Sequence, residues 1–289
     1  MATATLISDF SVKAFNDVAD YDDVRAFGEK DKNLPSLKPT IDAFGALFAD
    51  CKKNEHANLS LIHRHFLLKD GEKKVAWQDE ENQILIIKAT QASEYAGNGQ
   101  KLLPYLFQVV EKEDGKPTLV PLEFALHSNE DRYELLEAQI EAISDEAFLA
   151  KFLKLTQELE GGNLFGILLP ARDFLIPNEC KSRSTIEVAG DGDRTLIVKP
   201  FKRGDGERKP DGCCSCWHCT HCEHYGEENT NASGPDCNLG GNQPDFSGPG
   251  CTNCEVTTVA WKFSDEGKAE DGPCCCHCTH CHHCHWMNH

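Results

Sequence analysis

The chain has 289 residues, of which 47 are acidic and 29 are basic, and its formal net charge is -18 at pH 7. Nucleic-acid binding requires a concentrated footprint of lysine and arginine, which this sequence lacks, so nucleic acid is excluded as the expected partner. No stretch is long and apolar enough to span a bilayer, and the N-terminus has neither the basic nor the apolar region of a secretory signal. We therefore expect an intracellular, cytoplasmic protein with no membrane partner.

The cysteines are distributed unevenly and mark the clearest domain boundary. Of 16 cysteines, two lie before residue 200 and the other fourteen lie between Cys213 and Cys284. Residues 203–212 are rich in glycine, proline and charge, which is typical of a connecting loop. The sequence therefore predicts a scaffold domain at 1–203 and a Cys/His-rich module at 204–289.

Three segments of the scaffold have helical patterning. Residues 40–51 carry apolar side chains at helical spacing behind a threonine cap, which predicts a short amphipathic helix with Cys51 in the core. A second helix is predicted at 128–143. A third is predicted at 144–160, capped by Ser144 and stopped by the Gly-Gly pair that follows it.

Segments with β-type patterning lie between and after these helices, bounded by turns such as 69–72 and 114–115. The predicted strands are 58–68, 73–78, 83–90, 102–111, 118–126, 164–169, 185–189 and 195–201. Hairpins grouped apart from helices predict an α+β domain built on an antiparallel sheet with two to three helices. Pro104 and Pro121 place their hairpin at a sheet edge.

Two histidines of the scaffold form a candidate ligand pair. His63 and His65 are predicted to lie on one face of a strand, which resembles the way cupin-type metal sites place two ligands. The sequence departs from the cupin pattern because no second histidine motif follows. The favoured interpretation is therefore two partly buried, hydrogen-bonded imidazoles.

The last third of the chain carries one unusual arrangement twice, a run of cysteines at every third residue with a histidine ahead of most of them. We call each run a hook, the first at residues 213–224 and the second at 274–284. Each hook follows a strand-like segment, at 195–201 and 256–263, and a charged loop. The two units lie about sixty residues apart, which indicates an internal duplication.

Sulfur and imidazole donors at this density select thiophilic metal ions such as Zn²⁺ or Cu⁺. The segment between the hooks has few apolar residues, so metal ligation rather than burial is predicted to order it. The predicted ligands are Cys213, Cys214, Cys216, His218, Cys219, His221, Cys222, His224, Cys237, Cys251, Cys254, Cys274, Cys275, Cys276, His277, Cys278, His280, Cys281, His283 and Cys284. This set accommodates about three to five four-coordinate ions, so we expect a helix-poor module stabilised by several zinc ions.

The charge of the module favours mixed ligation. Residues 204–289 contain thirteen acidic and four basic residues, so thiolates add to an existing negative charge. An anionic field attracts cations but raises the cost of each further thiolate. Two thiolates and two neutral imidazoles leave Zn²⁺ without net charge, whereas four thiolates leave it at minus two.

Two other metals remain open. Copper(I) suits dense thiolates, and the cysteine density is similar to that of metallothioneins, although the module also contains Trp217, Trp261 and Trp286. The Cys-x-x-Cys-x-x-Cys run resembles the start of a bacterial-type ferredoxin motif, but the expected proline is missing and the histidines are foreign to an iron–sulfur site. Trp217 and Trp286 are expected to cover a metal site.

The sequence thus predicts a metal-binding protein that acts in protein interaction or metal homeostasis, without catalysis. The expected partners are metal ions and another protein. Copper(I) or zinc storage or sensing is one alternative. A metalloenzyme with one open coordination site, beside Glu223 or beside the pair of histidines in the scaffold, is the other.

Overall fold

The structure is a computed structural model, and it describes most of the first 175 residues and short segments after them. The described ranges are 6–20, 37–95, 101–127, 130–159, 161–175, 185–189, 194–200, 214–216, 254–258, 260–270 and 274–278. The chain divides into two compact units. The first contains residues 1–76, 89–174 and 260–270, and the second contains residues 77–88, 175–259 and 271–289.

The described elements are mainly strands. The α-helices are α1 (Val12–Asn16), α2 (Leu37–Asp50), α3 (Ala92–Tyr95), α4 (Glu130–Ile143) and α5 (Glu146–Glu158), with 3₁₀ turns at Gly162–Leu164 and Pro170–Leu175. The strands are β1 (Asn58–Leu61), β2 (Glu72–Asp79), β3 (Ile84–Gln91), β4 (Lys101–Glu111), β5 (Pro117–His127), β6 (Phe165–Leu168), β7 (Thr185–Ala189), β8 (Thr195–Pro200), β9 (Cys214–Cys216), β10 (Cys254–Thr258), β11 (Ala260–Phe263), β12 (Ala269–Glu270) and β13 (Cys274–Cys278).

The first unit is an α+β structure on a mixed sheet. Its strands follow the order β2, β5, β4, β6, β1, β11, β12. The pairs are antiparallel except β2 with β5, which run parallel with Lys74 opposite Glu123. The prediction of an α+β scaffold with a few helices is confirmed. The prediction of a purely antiparallel sheet is wrong, because β5 pairs with β2 across the long connection that contains β3 and β4.

The β4–β5 hairpin lies inside this sheet, so its predicted edge position is wrong. Each strand has a second neighbour, β6 for β4 and β2 for β5. The ladder tolerates both prolines for local reasons. Pro104 lies where the register shifts at a bulge. Pro121 lies between two separate parallel partners of β5, since Leu119 pairs with Ile7 and residues 123–125 pair with β2.

Two predicted helix starts are also corrected. Helix α2 begins at Leu37, so Thr40 is a buried residue of the helix and not its cap. Pro39 falls in the first turn, where a missing N–H costs little. Helix α5 is capped by Asp145, whose carboxylate accepts from the backbone N–H of residues 147 and 148 at 3.0 and 3.2 Å. The hydroxyl of Ser144 donates instead to the carbonyl of Ile140.

The predictions for Cys51 and for the end of the first strand differ from the structure. Cys51, predicted in the core, is half-buried just after α2, with the Nζ of Lys151 3.9 Å from its Sγ. The predicted strand at 58–68 ends at Leu61, and the chain then continues without regular pairing. The other predicted strands up to residue 200 are confirmed to within a few residues.

An aromatic cluster forms the core where α2, α5 and the sheet meet. Phe44 contacts Phe152 and Phe165 at ring-centroid distances of 4.8 and 5.3 Å. Phe48 contacts Phe148 at 5.5 Å. Each of these rings is almost fully buried, so this cluster accounts for much of the apolar surface that the first unit removes from water.

A hairpin from the cysteine-rich third of the chain completes this core. Strands β11 and β12 pair with each other, and β11 pairs with β1. Phe263 is 1% exposed and lies 5.2 Å from Phe48, and Trp261 lies 5.7 Å from Phe165. The single strand predicted at 256–263 is therefore two strands, because β10 pairs with β13 whereas β11 pairs with β1. Residues 260–270 are a hydrophobic part of the first unit.

Two glycines bring the hairpin close to helix α2. A Cβ atom on Gly45 would lie 2.1 Å from the carbonyl oxygen of Gly267 and 2.9 Å from the Phe263 ring. Gly267 has φ of +76°, the left-handed conformation that favours glycine, in a turn closed by hydrogen bonds between Ser264 and Lys268. The close approach of helix and turn depends on the absence of both side chains.

The second unit contains the strand order β3, β8, β7, β9, β13, β10, and its described pairs are antiparallel. Strand β3 contributes residues 84–88 to this unit. The strand prediction at 195–201 is confirmed as β8, which pairs with β3 and β7. The boundary predicted near residue 204 lies among residues outside the description and stays a prediction.

Within the described ranges, no helix is long and apolar enough to cross a membrane.

The close approach of α2 and the hairpin gives a stability prediction. Alanine in place of glycine inside a helix normally stabilises it by about 1 kcal/mol. We expect Gly45→Ala to destabilise the protein by about 1–3 kcal/mol instead, because its methyl group meets backbone that cannot move aside. Urea unfolding measures the free energy of unfolding. The exposed neighbour Ala46 provides the control, since Ala46→Gly reports the propensity effect alone. A stabilised Gly45→Ala protein contradicts the described contact.

Candidate functional site

The predicted metal ligands are partly described. Eight of the twenty lie on strands of the second unit, in β9, β10 and β13. The other twelve lie outside the described residues: Cys213, His218, Cys219, His221, Cys222, His224, Cys237, Cys251, His280, Cys281, His283 and Cys284. Trp217 and Trp286 also lie outside them. The predicted module, its zinc ions and its duplication therefore stay predictions.

The backbone register brings cysteines of distant sequence position together. Cys254 is the cross-strand partner of Cys278, and Cys216 is the partner of Cys274. Directly opposite residues in an antiparallel pair have Cα atoms about 4.5–5.5 Å apart. Parts of both hooks and of the segment between them thus meet in three adjacent strands. The sequence had left this pairing of ligands open.

Alternation along the strands assigns these positions to two faces. Cross-strand partners share a face, and residues two apart share a face. One face, which we call the cysteine face, contains the positions of Val256 and Thr258 and those of six cysteines, Cys214, Cys216, Cys254, Cys274, Cys276 and Cys278. The opposite face contains the positions of Ser215, Glu255, Thr257, Cys275 and His277. Six of the eight described ligands therefore occupy one side of the sheet.

Elsewhere the described side chains offer fewer metal donors. Among the residues whose side chains the structure describes, no three His, Cys, Asp or Glu side chains converge on one point. The histidine pair predicted in the scaffold does come together. The Nε2 atoms of His63 and His65 lie 3.1 Å apart, and the ring centroids are 4.8 Å apart. The two imidazoles are hydrogen-bonded as predicted, but the pair follows the end of β1 and does not lie within a strand, and His65 is exposed whereas His63 is half-buried.

The hydrogen bonds of the pair define its protons. His63 Nδ1 lies 3.2 Å from the carbonyl oxygen of Leu61, which can only accept, so Nδ1 carries the proton. The neutral His63 ring then accepts at Nε2 from the Nε2–H of His65. In this arrangement the His63 ring is neutral. A divalent cation can replace the shared proton, since two nitrogen ligands of one ion also lie about 3 Å apart.

The neighbourhood keeps His63 neutral. Burial and, to a smaller extent, the nearby Lys74 lower the pKa of His63, Glu123 and the hydrogen bond to Leu61 partly oppose them, and the resulting pKa is about 4. Although part of the residue is accessible, the charged ring is poorly solvated. A neutral imidazole above pH 4 is the form that binds a metal ion.

Contacts with the N-terminal segment position this pair. Arg64, between the two histidines, donates from its backbone N–H to the carbonyl of Ala19 at 2.9 Å and from Nε to the carbonyl of Asn16 at 3.2 Å. The Asn16 side chain also donates to and accepts from the backbone of Leu68, at 2.9 and 2.8 Å. These bonds replace the strand pairing that ends at Leu61. Nothing in the local sequence pattern indicated them.

A buried ionic cluster lies beside the histidine pair and was not predicted. Lys74 and Glu123, opposite each other in β2 and β5, form an ion pair at 2.5 Å, with both side chains less than 10% exposed. The Tyr105 hydroxyl donates to the other oxygen of Glu123 at 2.6 Å. Tyr105 lies at the β4 bulge. Because the charges are paired and hydrogen-bonded, the cluster favours the parallel register of β2 and β5 over its alternatives.

The comparisons with known proteins give no match: no family model matches the chain, and no curated protein or solved structure is significantly similar to it.

The environment of His63 predicts a pH-dependent stability. The unfolded chain takes up a proton on this residue as pH falls through 6.5, whereas the folded chain does so only near pH 4. The neutral His63 therefore contributes its full stabilisation above pH 6.5, and this stabilisation is lost as the pH falls toward 4. By pH 5 the loss in the free energy of unfolding is about 2 kcal/mol.

Between pH 7.5 and pH 5, we expect the free energy of unfolding of His63→Gln to fall by about 2 kcal/mol less than that of the wild type. Urea unfolding at both pH values measures the difference. His65→Gln is the matched control and keeps the wild-type pH dependence, because the burial of His63 and its proximity to Lys74 remain. Equal losses in His63→Gln and the wild type would contradict the assignment.

Proposed function

We propose that this chain is an intracellular metal-binding protein that holds several zinc ions through Cys/His ligands and acts in protein interaction or metal homeostasis. The observation that carries the proposal is the cross-strand placement of cysteines from both hooks and from the segment between them. Donors separated by up to about sixty residues lie in one three-stranded patch, as a shared metal site requires.

The composition of the module supports the same function. Thirteen acidic residues against four basic ones surround fourteen cysteines and nine histidines. A disulfide framework explains the cysteines but gives the histidines no role, whereas soft metal ions use both. Zinc binding also supplies about 10–16 kcal/mol in small modules, enough to order a segment that lacks an apolar core.

A role in copper(I) storage or sensing is the second candidate. The cysteine face favours it, because its six predicted ligands are all cysteines and thiolate sites suit Cu⁺ as well as Zn²⁺. A metalloenzyme needs a metal ion with an open coordination position. Among the described residues, His63 and His65 would supply two ligands to such an ion.

Metal analysis of the full chain tests the proposal. We expect protein purified without oxygen to carry about three to five ions per chain, mostly zinc, by native mass spectrometry combined with elemental analysis. Predominant copper favours the second candidate. His283→Ala should lower the zinc content, since His283 is a predicted ligand. The adjacent His282, outside the predicted set, gives the matched control His282→Ala, which should keep the wild-type content.

Two results would contradict zinc binding. One is a metal-free chain with reduced thiols, and the other is a chain whose cysteines are joined as disulfides in the absence of oxygen.

A further inference from the structure

The cysteine face differs chemically from the mixed Cys/His sites that the hooks predict. Strand alternation separates Cys276 from its chain neighbours Cys275 and His277, which belong to the opposite face. It also separates Cys275 from Cys278, so a regular strand cannot offer this Cys-x-x-Cys pair to one ion. The strands therefore divide the second hook into two donor sets.

The cross-strand pairs have a spacing suited to metal ligation. Opposite residues have Cβ atoms about 4.5–5.5 Å apart. Two thiolates on one tetrahedral Zn²⁺ lie about 3.8 Å apart, from Zn–S bonds of about 2.3 Å, which is within reach of such a pair. The pairs of Cys216 with Cys274 and of Cys254 with Cys278 meet this condition, and β13 connects them through Cys276.

We propose that the cysteine face is a thiolate-only metal-binding site that takes soft closed-shell cations, separate from the mixed sites that use histidine. This proposal rests on the proposed metal-binding function, and it divides the predicted ligands into a thiolate-only set and a mixed Cys/His set. Each thiol loses its proton on binding, so affinity falls with falling pH.

The test uses the full chain loaded with Cd²⁺, a soft substitute for zinc whose NMR signal moves downfield as sulfur ligands replace nitrogen. The variant Cys274→Ser/Cys276→Ser removes two positions of the cysteine face. Its matched control, Cys275→Ser/His277→Gln, changes the interleaved positions of the same strand. We expect the first variant to lose roughly one Cd²⁺ per chain, with the most downfield ¹¹³Cd signals, and the control to keep those signals.

A second pair of variants guards against misfolding of β13. Cys254→Ser on strand β10 should weaken the same downfield signals, whereas Glu255→Gln, at the neighbouring position on the opposite face, should leave them intact. Loss of the downfield signals in both members of a pair overturns the division into faces, and so does their loss in a control alone.

Other outcomes separate this proposal from the proposed function. Wild-type protein that binds Cd²⁺ only with mixed sulfur and nitrogen ligands overturns the thiolate-only face but leaves metal binding intact. Wild-type protein that binds no Cd²⁺ overturns both. Cross-strand cysteines also have a spacing that permits disulfides, so Cys216–Cys274 or Cys254–Cys278 bridges in protein purified without oxygen also overturn the proposal.

Discussion

The packing of the hairpin β11–β12 against helix α2 is the constraint on which the described structure most depends. Phe263 fills the core beside Phe48, and the backbones of Gly45 and Gly267 approach so closely that neither position has room for a side chain. A segment from the cysteine-rich third of the chain is thus held by apolar burial.

Two kinds of stabilisation therefore alternate along the last third of the chain. Residues 260–270 are ordered by contacts with a hydrophobic core, which requires no ligand. The strands β9, β10 and β13 carry eight of the predicted metal ligands in thirteen residues, and we attribute their stability to bound metal. The histidine pair and the buried Lys74–Glu123 pair belong to the first unit, where the lysine and the carboxylate pair with each other and burial keeps the His63 ring neutral.

Local patterns predicted what local physics decides. The strands β3 and β5, the turn at Gly115 and the helix at 146–158 followed from the residue pattern and the turn residues, although the residue that caps the helix did not. The parallel pairing of β2 with β5 did not, because strand order depends on long-range contacts. Trp261 was assigned to the metal module because it lies beyond the predicted domain boundary, between the two hooks. Cys214-Ser-Cys216 and Cys274-x-Cys276-x-Cys278 also have a period of two, the signal of a strand, which the three-residue period obscured.

Hydrogen exchange of the full chain before and after metal removal tests the account most directly, because it reports on both parts of the cysteine-rich third at once. We expect the amides of 260–263 to stay protected after chelation, since their partners are apolar core and β1. The amides of 254–258 and 274–278 should exchange at least about tenfold faster without metal. Loss of protection in 260–263 together with these strands, or unchanged protection in the cysteine strands, would contradict the account.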